Sequence, residues 1–162
     1  SGVREEDCIA LLGRAGCSDD VVAHCRAVRD LALTYADGIA DRDLIEAGAL
    51  LHDIGRGVTH DLHHAEAGGA ICRAFGLDER IERIVERHIG AGLTADECSL
   101  LCLAPRDCMP ATLEEKIVAH ADNLVKGIRA ITMEERMMHA IALPRRQRKR
   151  IRRLGLEMEL FR

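Results

Sequence analysis

Aromatic side chains are almost missing from this chain. They make up 2% of its 162 residues, one Tyr and two Phe, with no Trp. Sheets favour aromatic and β-branched residues, and surfaces that stack nucleobases need rings, so neither is the main design. Prolines number three, so few segments are barred from continuing a helix. No apolar run approaches the roughly 20 residues that cross a bilayer. The stretch SGVREEDC has no apolar signal-peptide core, and no membrane partner is expected. Cys8, Cys17, Cys25, Cys72, Cys98, Cys102 and Cys108 are odd in number and contain no C-x-x-C pair. That argues against a disulfide framework and a zinc ribbon. They read as reduced thiols, and the expected location is cytoplasmic.

What is present is helical. Apolar residues make up 48% of the chain, drawn from Leu, Ile, Val, Ala and Met, enough for one domain with a real core. REEDCIALLGRAG has helical spacing and closes on glycine. SDDVVAHCRAVRDLALTYADG opens on Ser18 as an N-cap, has Asp19 and Asp20 in its first turn and ends at Gly38. Asp43 with Glu46, Thr94 with Glu97 and Thr112 with Glu115 have capping-box spacing. Ile81, Ile84, Val85 and Ile89 form one stripe. No segment alternates with period two for long. The expectation is an all-α bundle of about six or seven helices with short loops, and LAPRDCMPAT is the clearest loop.

Charge is uneven. From Pro144 to Arg162 there are eight Lys/Arg and two Glu, leaving about −10 on the rest of a chain whose net charge is −4. The segment PRRQRKRIRRLG reads either as a basic helix balancing an acidic body or as an arm that meets RNA phosphates through residues 145–153.

The chemistry gathers in ALLHDIGRG. Burying His52 and Asp53 beside Leu50, Leu51 and Ile54 is unfavourable unless something pairs with them. His24 shares a helical stripe with Val21 and Val28, and Asp122 stands three or four residues from Val118, Ala119 and Val125. A lone buried His is usually a hydrogen-bonded core residue; a buried Asp is harder to explain that way. Four such residues on three helices suit a divalent transition metal. His120 is two residues from Asp122 and points roughly 160° away on a helix, so it reads as structural. His139 reads as an ordinary helix position.

The ordered set H…HD…D, with its middle pair inside HDIG, resembles the HD-domain superfamily of metal-dependent phosphohydrolases, over about residues 18–127. The resemblance implies that residues 1–143 form an HD domain, with 144–162 a basic helix or arm of the same unit. It implies that His24, His52, Asp53 and Asp122 hold a first divalent metal (Mn, Fe, Ni, Co, Zn or Mg). His64 and His88 would complete a second site sharing Asp53, as the extra histidines of HD-GYP phosphodiesterases do. The GYP motif is absent and position 89 is Ile, so the cyclic dinucleotide substrate of that subset is not carried over. Asp53 and Arg56 become the catalytic pair. Arg56, Lys116 and His60 are candidate phosphate or substrate contacts, and His63 could line the same cleft. The function implied is hydrolysis of a phosphomonoester or phosphodiester of a nucleotide or nucleic-acid end by metal-activated water. A small phosphorylated molecule, foremost a nucleotide, would be the substrate. Two other classes stay open: an RNA-associated or regulatory HD module without turnover, and a di-iron HD-fold oxygenase.

Overall fold

The computed structural model describes residues 4–162; Ser1–Val3, where the stretch read for a signal-peptide core begins, lie outside the described residues. Nine α-helices account for most of them: α1 (Glu5–Arg14), α2 (Asp19–Leu33), α3 (Arg42–Leu51), α4 (His64–Ala74), α5 (Glu79–Glu86), α6 (Ala95–Leu100), α7 (Leu113–Asn123), α8 (Met133–His139) and α9 (Arg145–Phe161). The all-helical expectation holds. The number exceeds six or seven partly because α6 and α8 are only 6 and 7 residues long. One departure is a two-residue antiparallel pair, β1 (Val125–Lys126) with β2 (Arg129–Ala130). Strands this short have no period to read.

Local chemistry sets the helix ends. The Ser18 hydroxyl accepts from the Val21 N–H, and Thr94 with Glu97 forms a full capping box. Two expectations are corrected. The cap of α3 is Asp41, whose carboxylate accepts from the Leu44 N–H; Asp43 lies inside the first turn and Glu46 faces Arg29. Helix α2 stops at Leu33 and not near Gly38, where the Thr34 hydroxyl donates to the Leu31 carbonyl. The Thr112 box is half built: Thr112 accepts from the Glu115 N–H, but the Glu115 carboxylate turns to the Ala111 N–H and Arg87.

Helix α3 is the spine. Leu44, Ile45, Leu50 and Leu51 are buried, packed between α2, α5 and α7. Each fully buried Leu or Ile contributes about 1.5–3 kcal/mol of transfer free energy. Helix α9 lies on α7 and α8 through Ile151, Leu154, Gly155 and Met158, with Arg145, Arg146, Lys149, Arg152 and Arg153 exposed and Arg148 and Arg150 half-buried. This packing brings the C-terminal end of α3, the start of α4, the end of α5, the middle of α2 and the end of α7 to one place.

Candidate metal centre

Five segments deliver the histidines and aspartates. His52 caps the C-terminus of α3, and Asp53 follows at the entrance to a 3₁₀ turn, Ile54–Gly57. His24 comes from α2 and Asp122 from α7. His64 opens α4, and His88 lies two residues past α5. The 3₁₀ turn fits only because its glycines lack side chains. A Cβ on Gly55 would overlap the His64 carbonyl, and one on Gly57 would overlap the Ala15 carbonyl.

Every one of the four rings is anchored through Nδ1. His24 donates to the Gly127 carbonyl (2.6 Å), His52 to Ala49 (2.7 Å), His64 to Asp61 (2.7 Å) and His88 to Val85 (2.6 Å). A carbonyl accepts only from an N–H, so the proton of each neutral ring sits on Nδ1 and Nε2 presents a lone pair inward. Those Nε2 atoms converge on two carboxylates. His24 and His52 stand 3.0 and 3.2 Å from Asp122 Oδ1, and each is 3.6 Å from Asp53 Oδ2. His64 and His88 both stand 3.3 Å from Asp53 Oδ1, with their own Nε2 atoms 3.0 Å apart. Asp53 thus divides its oxygens between two sets of rings.

The electrostatics match a centre that wants positive charge. Burial alone would push His52 down, but Asp53 and Asp122 outweigh it and hold its pKa well above the usual value. Burial is likewise outweighed at His24, where the hydrogen bond to Asp122 raises the pKa. His88 goes the other way: burial dominates and keeps it neutral near pH 7. Burial would raise both carboxyls, yet the His52 charge leads the effects holding Asp53 and Asp122 below the ordinary range. The carboxylates thus make these rings more basic and the rings make the carboxyls more acidic, the mutual bias of a site that favours a cation.

The donor set fits divalent metal. Asp53 Oδ1 is buried without a hydrogen-bond donor, a costly state for a carboxylate oxygen. Two neutral rings that both spend their proton on a carbonyl leave two lone pairs facing across 3.0 Å, a contact a cation between them relieves. Imidazole nitrogen and carboxylate oxygen are ligands of Zn, Fe, Mn, Ni and Co alike, and the Nδ1–H bonds to carbonyls are the usual support of metal-binding histidines.

A family model described as the HD domain matches residues 21–127. The chain belongs to the HD-domain family. It is 47% identical over 134 residues to a tRNA (cytidine(56)-2'-O)-methyltransferase of Picrophilus torridus, covering 82% of this chain and 39% of that protein. An uncharacterized protein of Methanocaldococcus jannaschii is 47% identical over 125 residues, 74% of each chain. The chain thus spans about two fifths of the length of the methyltransferase it matches. Among solved structures, the HD domain of the L. monocytogenes phosphodiesterase PgpH, in complex with cyclic-di-AMP, superposes with a TM-score of 0.57 at 17% identity, over 93% of this chain and 95% of that one. That likeness is one of fold.

The HD arrangement brings all six expected ligands together, and Arg56 stands with them. Its Nε lies 3.1 Å from Asp53 Oδ2, and its Nη1 donates to the His60 carbonyl (3.0 Å). The two substrate contacts expected beside it are placed differently. Lys116 is not at the cluster: its Nζ is 2.7 Å from Glu157 on α9, because position 116 faces α9 and not α2. His60 contributes its backbone carbonyl, and its side chain is exposed on the loop between the 3₁₀ turn and α4. His63 is held by Asp61 and the Cys102 carbonyl. His120 packs edge-on against Tyr35 in the core, while His139 is exposed. One charged neighbour went unread. Arg136 of α8 donates to the Asn123 side chain (3.0 Å) and lies in the field of Asp122. In MEERMMH it looks like any solvent-facing arginine, and no sequence signal marks it.

Proposed function

We propose that this chain is a metal-dependent phosphohydrolase acting on a phosphomonoester or phosphodiester of a nucleotide or of a nucleic-acid end. One observation carries the reading: four anchored imidazole lone pairs converge on a buried aspartate whose two carboxylate oxygens face different histidine pairs. Such a set suits two divalent ions sharing Asp53, and bound metal would supply a water acidic enough to serve as hydroxide near neutral pH and would polarise the phosphoryl group.

The chain's own residues do the rest. Asp53 holds both halves of the centre in register. The Nδ1–carbonyl bonds fix the rings, so little reorganisation is needed as charge develops. The open edge is at His24, Asp122 and Arg56, whose side chains keep 17, 22 and 29% of their accessibility against 4% or less for the other four. A phosphate arriving there meets Arg56, whose planar guanidinium suits bidentate recognition. The methyl-transfer activity in the name of the Picrophilus relative is that protein's; the aligned stretch covers 39% of its length.

The test is a panel of nucleoside mono- and triphosphates, 2′,3′-cyclic nucleotides and short RNAs with added Mn²⁺, Co²⁺, Ni²⁺ or Mg²⁺. Turnover is expected with at least one class. Asp53→Ala should lower it by more than about a hundredfold, the upper end for losing a group that only orients a metal ligand. Silence across the panel, with oxygen consumed by the iron-loaded protein, would replace this reading with an oxygenase. The basic α9 favours a second reading, an RNA-associated module that binds without turnover.

A further inference from the structure

We propose that the outward face of α9 is a phosphate track carrying a polynucleotide strand toward the metal centre. On the hydrolase reading above, the substrate is then a strand end and not a free nucleotide.

Residues 145–153 hold seven Lys/Arg and no acid. Among the described residues only Arg150 has an acidic partner, bonded through both Nη atoms to Glu97 and through Nη1 to the Gly92 carbonyl. The view of α9 as a helix that merely balances an acidic body predicts paired charges, and its other cations find none. The first turn of α9 also carries Arg145 and Arg146 with no acid, adding positive charge where the helix dipole is already positive. Like charges recur four residues apart, Arg145 with Lys149 and Lys149 with Arg153. Such a face disfavours itself unless an anion lies on it.

The cations are also shaped into a groove. Lys116, Arg146, Lys149, Arg150 and Arg153 line a cavity of about 370 Å³ between α9, the start of α7 and the Met109–Pro110 loop, with Glu157 its single acid. Ala91 belongs to this groove and to a second cavity of about 340 Å³. That second cavity is walled by Ile89 and Gly90, directly after His88, and by Arg136, which lies in the field of Asp122. Asn123 bridges Arg136 to the Gly90 carbonyl. The two cavities adjoin at Ala91, and the second lies along the Ile89–Gly90 segment that follows His88, on the side of the fold from which the strand would reach the metal centre. Much of this surface is built by α8 and α9, beyond residues 21–127 of the HD match. No Phe, Tyr or Trp lines either cavity and His139 is the one aromatic ring there, so the surface suits holding a strand by its phosphates more than by stacking its bases.

The test reads binding, apart from turnover. A labelled single-stranded RNA of about 20 nucleotides is titrated by fluorescence anisotropy, without added metal, at about 50 and 200 mM salt. The proteins are the full chain, the triple variant Arg146→Glu/Lys149→Glu/Arg153→Glu, its Gln counterpart and Asp53→Ala, all checked for helix content by circular dichroism. The full chain and Asp53→Ala should bind alike. The Glu set should lose at least about tenfold at low salt, and the slope of log affinity against log salt should flatten by about 2, at roughly 0.7 per phosphate contact on a single strand. The Gln set should fall in the same direction by less. A DNA strand of equal length should bind within a few-fold of RNA. Absence of RNA binding by the full chain, undiminished binding by the Glu set, or binding of RNA alone would overturn the track. If α9-dependent binding appears while no ester is cleaved, the track stands and the hydrolase reading falls. Hydrolysis without α9-dependent binding has the reverse meaning.

Discussion

Asp53 and its neighbours show how single residues set what the site can bind. Oδ2 faces His24 and His52, and Oδ1 faces His64 and His88. Removing one ring from the second pair should therefore empty one position and leave the other. His88→Ala is expected to lower bound metal from two ions per chain to one, measured by elemental analysis after dialysis. Retention of two ions would show that His88 is not a ligand. His88 and His64 could be picked from the sequence only through resemblance. Nothing in HIGAG or HHAEAG says where the ring nitrogens point. The carbonyls that fix those nitrogens were equally hidden, because Gly127 lies 103 residues from the ring it anchors.

The elements matter through the spacing they keep. The 3₁₀ turn after α3 must lie flat against α4, and Gly55 is where the backbones touch. Gly55→Ala should destabilise the fold by about 1–3 kcal/mol or more, the range for overpacking a filled site, measured by urea unfolding. It should also weaken metal binding, since the clash falls on the His64 carbonyl. A second device ties α5 to α7. Glu115 is buried at the start of α7, and the Arg87 guanidinium, one residue before His88, lies 2.8 Å from it. Burial would raise the Glu115 carboxyl, but the Ala111 N–H and Arg87 outweigh it and hold its pKa below the ordinary value. A depressed carboxyl adds stability that is complete above its unfolded pKa and lost as pH falls through the folded one. Thermal melts of the native protein should therefore fall in acid below about pH 4.5, and Glu115→Gln should show a shallower acid decline. Capping-box spacing in TLEE was legible. That its glutamate would leave the box for Arg87 was not, because the choice depends on where α5 packs.

At the scale of the molecule, the proposed metal would act as a staple. Its ligands come from α2, the α3 terminus, α4, the end of α5 and α7, so an ion bound only by the folded chain stabilises all of these contacts together. Metal at a hundred times its Kd adds about 2.7 kcal/mol, and a chain of this size shifts about 2–4 °C per kcal/mol. Mn²⁺ or Co²⁺ should therefore raise Tm by roughly 5–11 °C, and EDTA should reverse it. A Tm indifferent to both would show that protons alone satisfy the cluster. Charge is also organised at this scale, with an acidic body and a basic helix packed on it through Ile151, Leu154 and Met158.

The sequence alone determined the helical class, the apolar stripes and the residue types able to hold a metal. These are local properties: propensity, periodicity of 3.6, caps within four residues, and a buried His-Asp pair that demands a partner. It marked HDIG because polar groups in an apolar run are costly wherever the run is buried. The tertiary structure decided everything that depends on distance across the chain. It put Lys116 against Glu157 and away from the cluster, bonded Arg136 to Asn123, and laid α9 so that its cations line a groove adjoining the cavity at Ile89 and Gly90. Helical periodicity says which residues share a face. Only the packing of one helix on another says what that face meets.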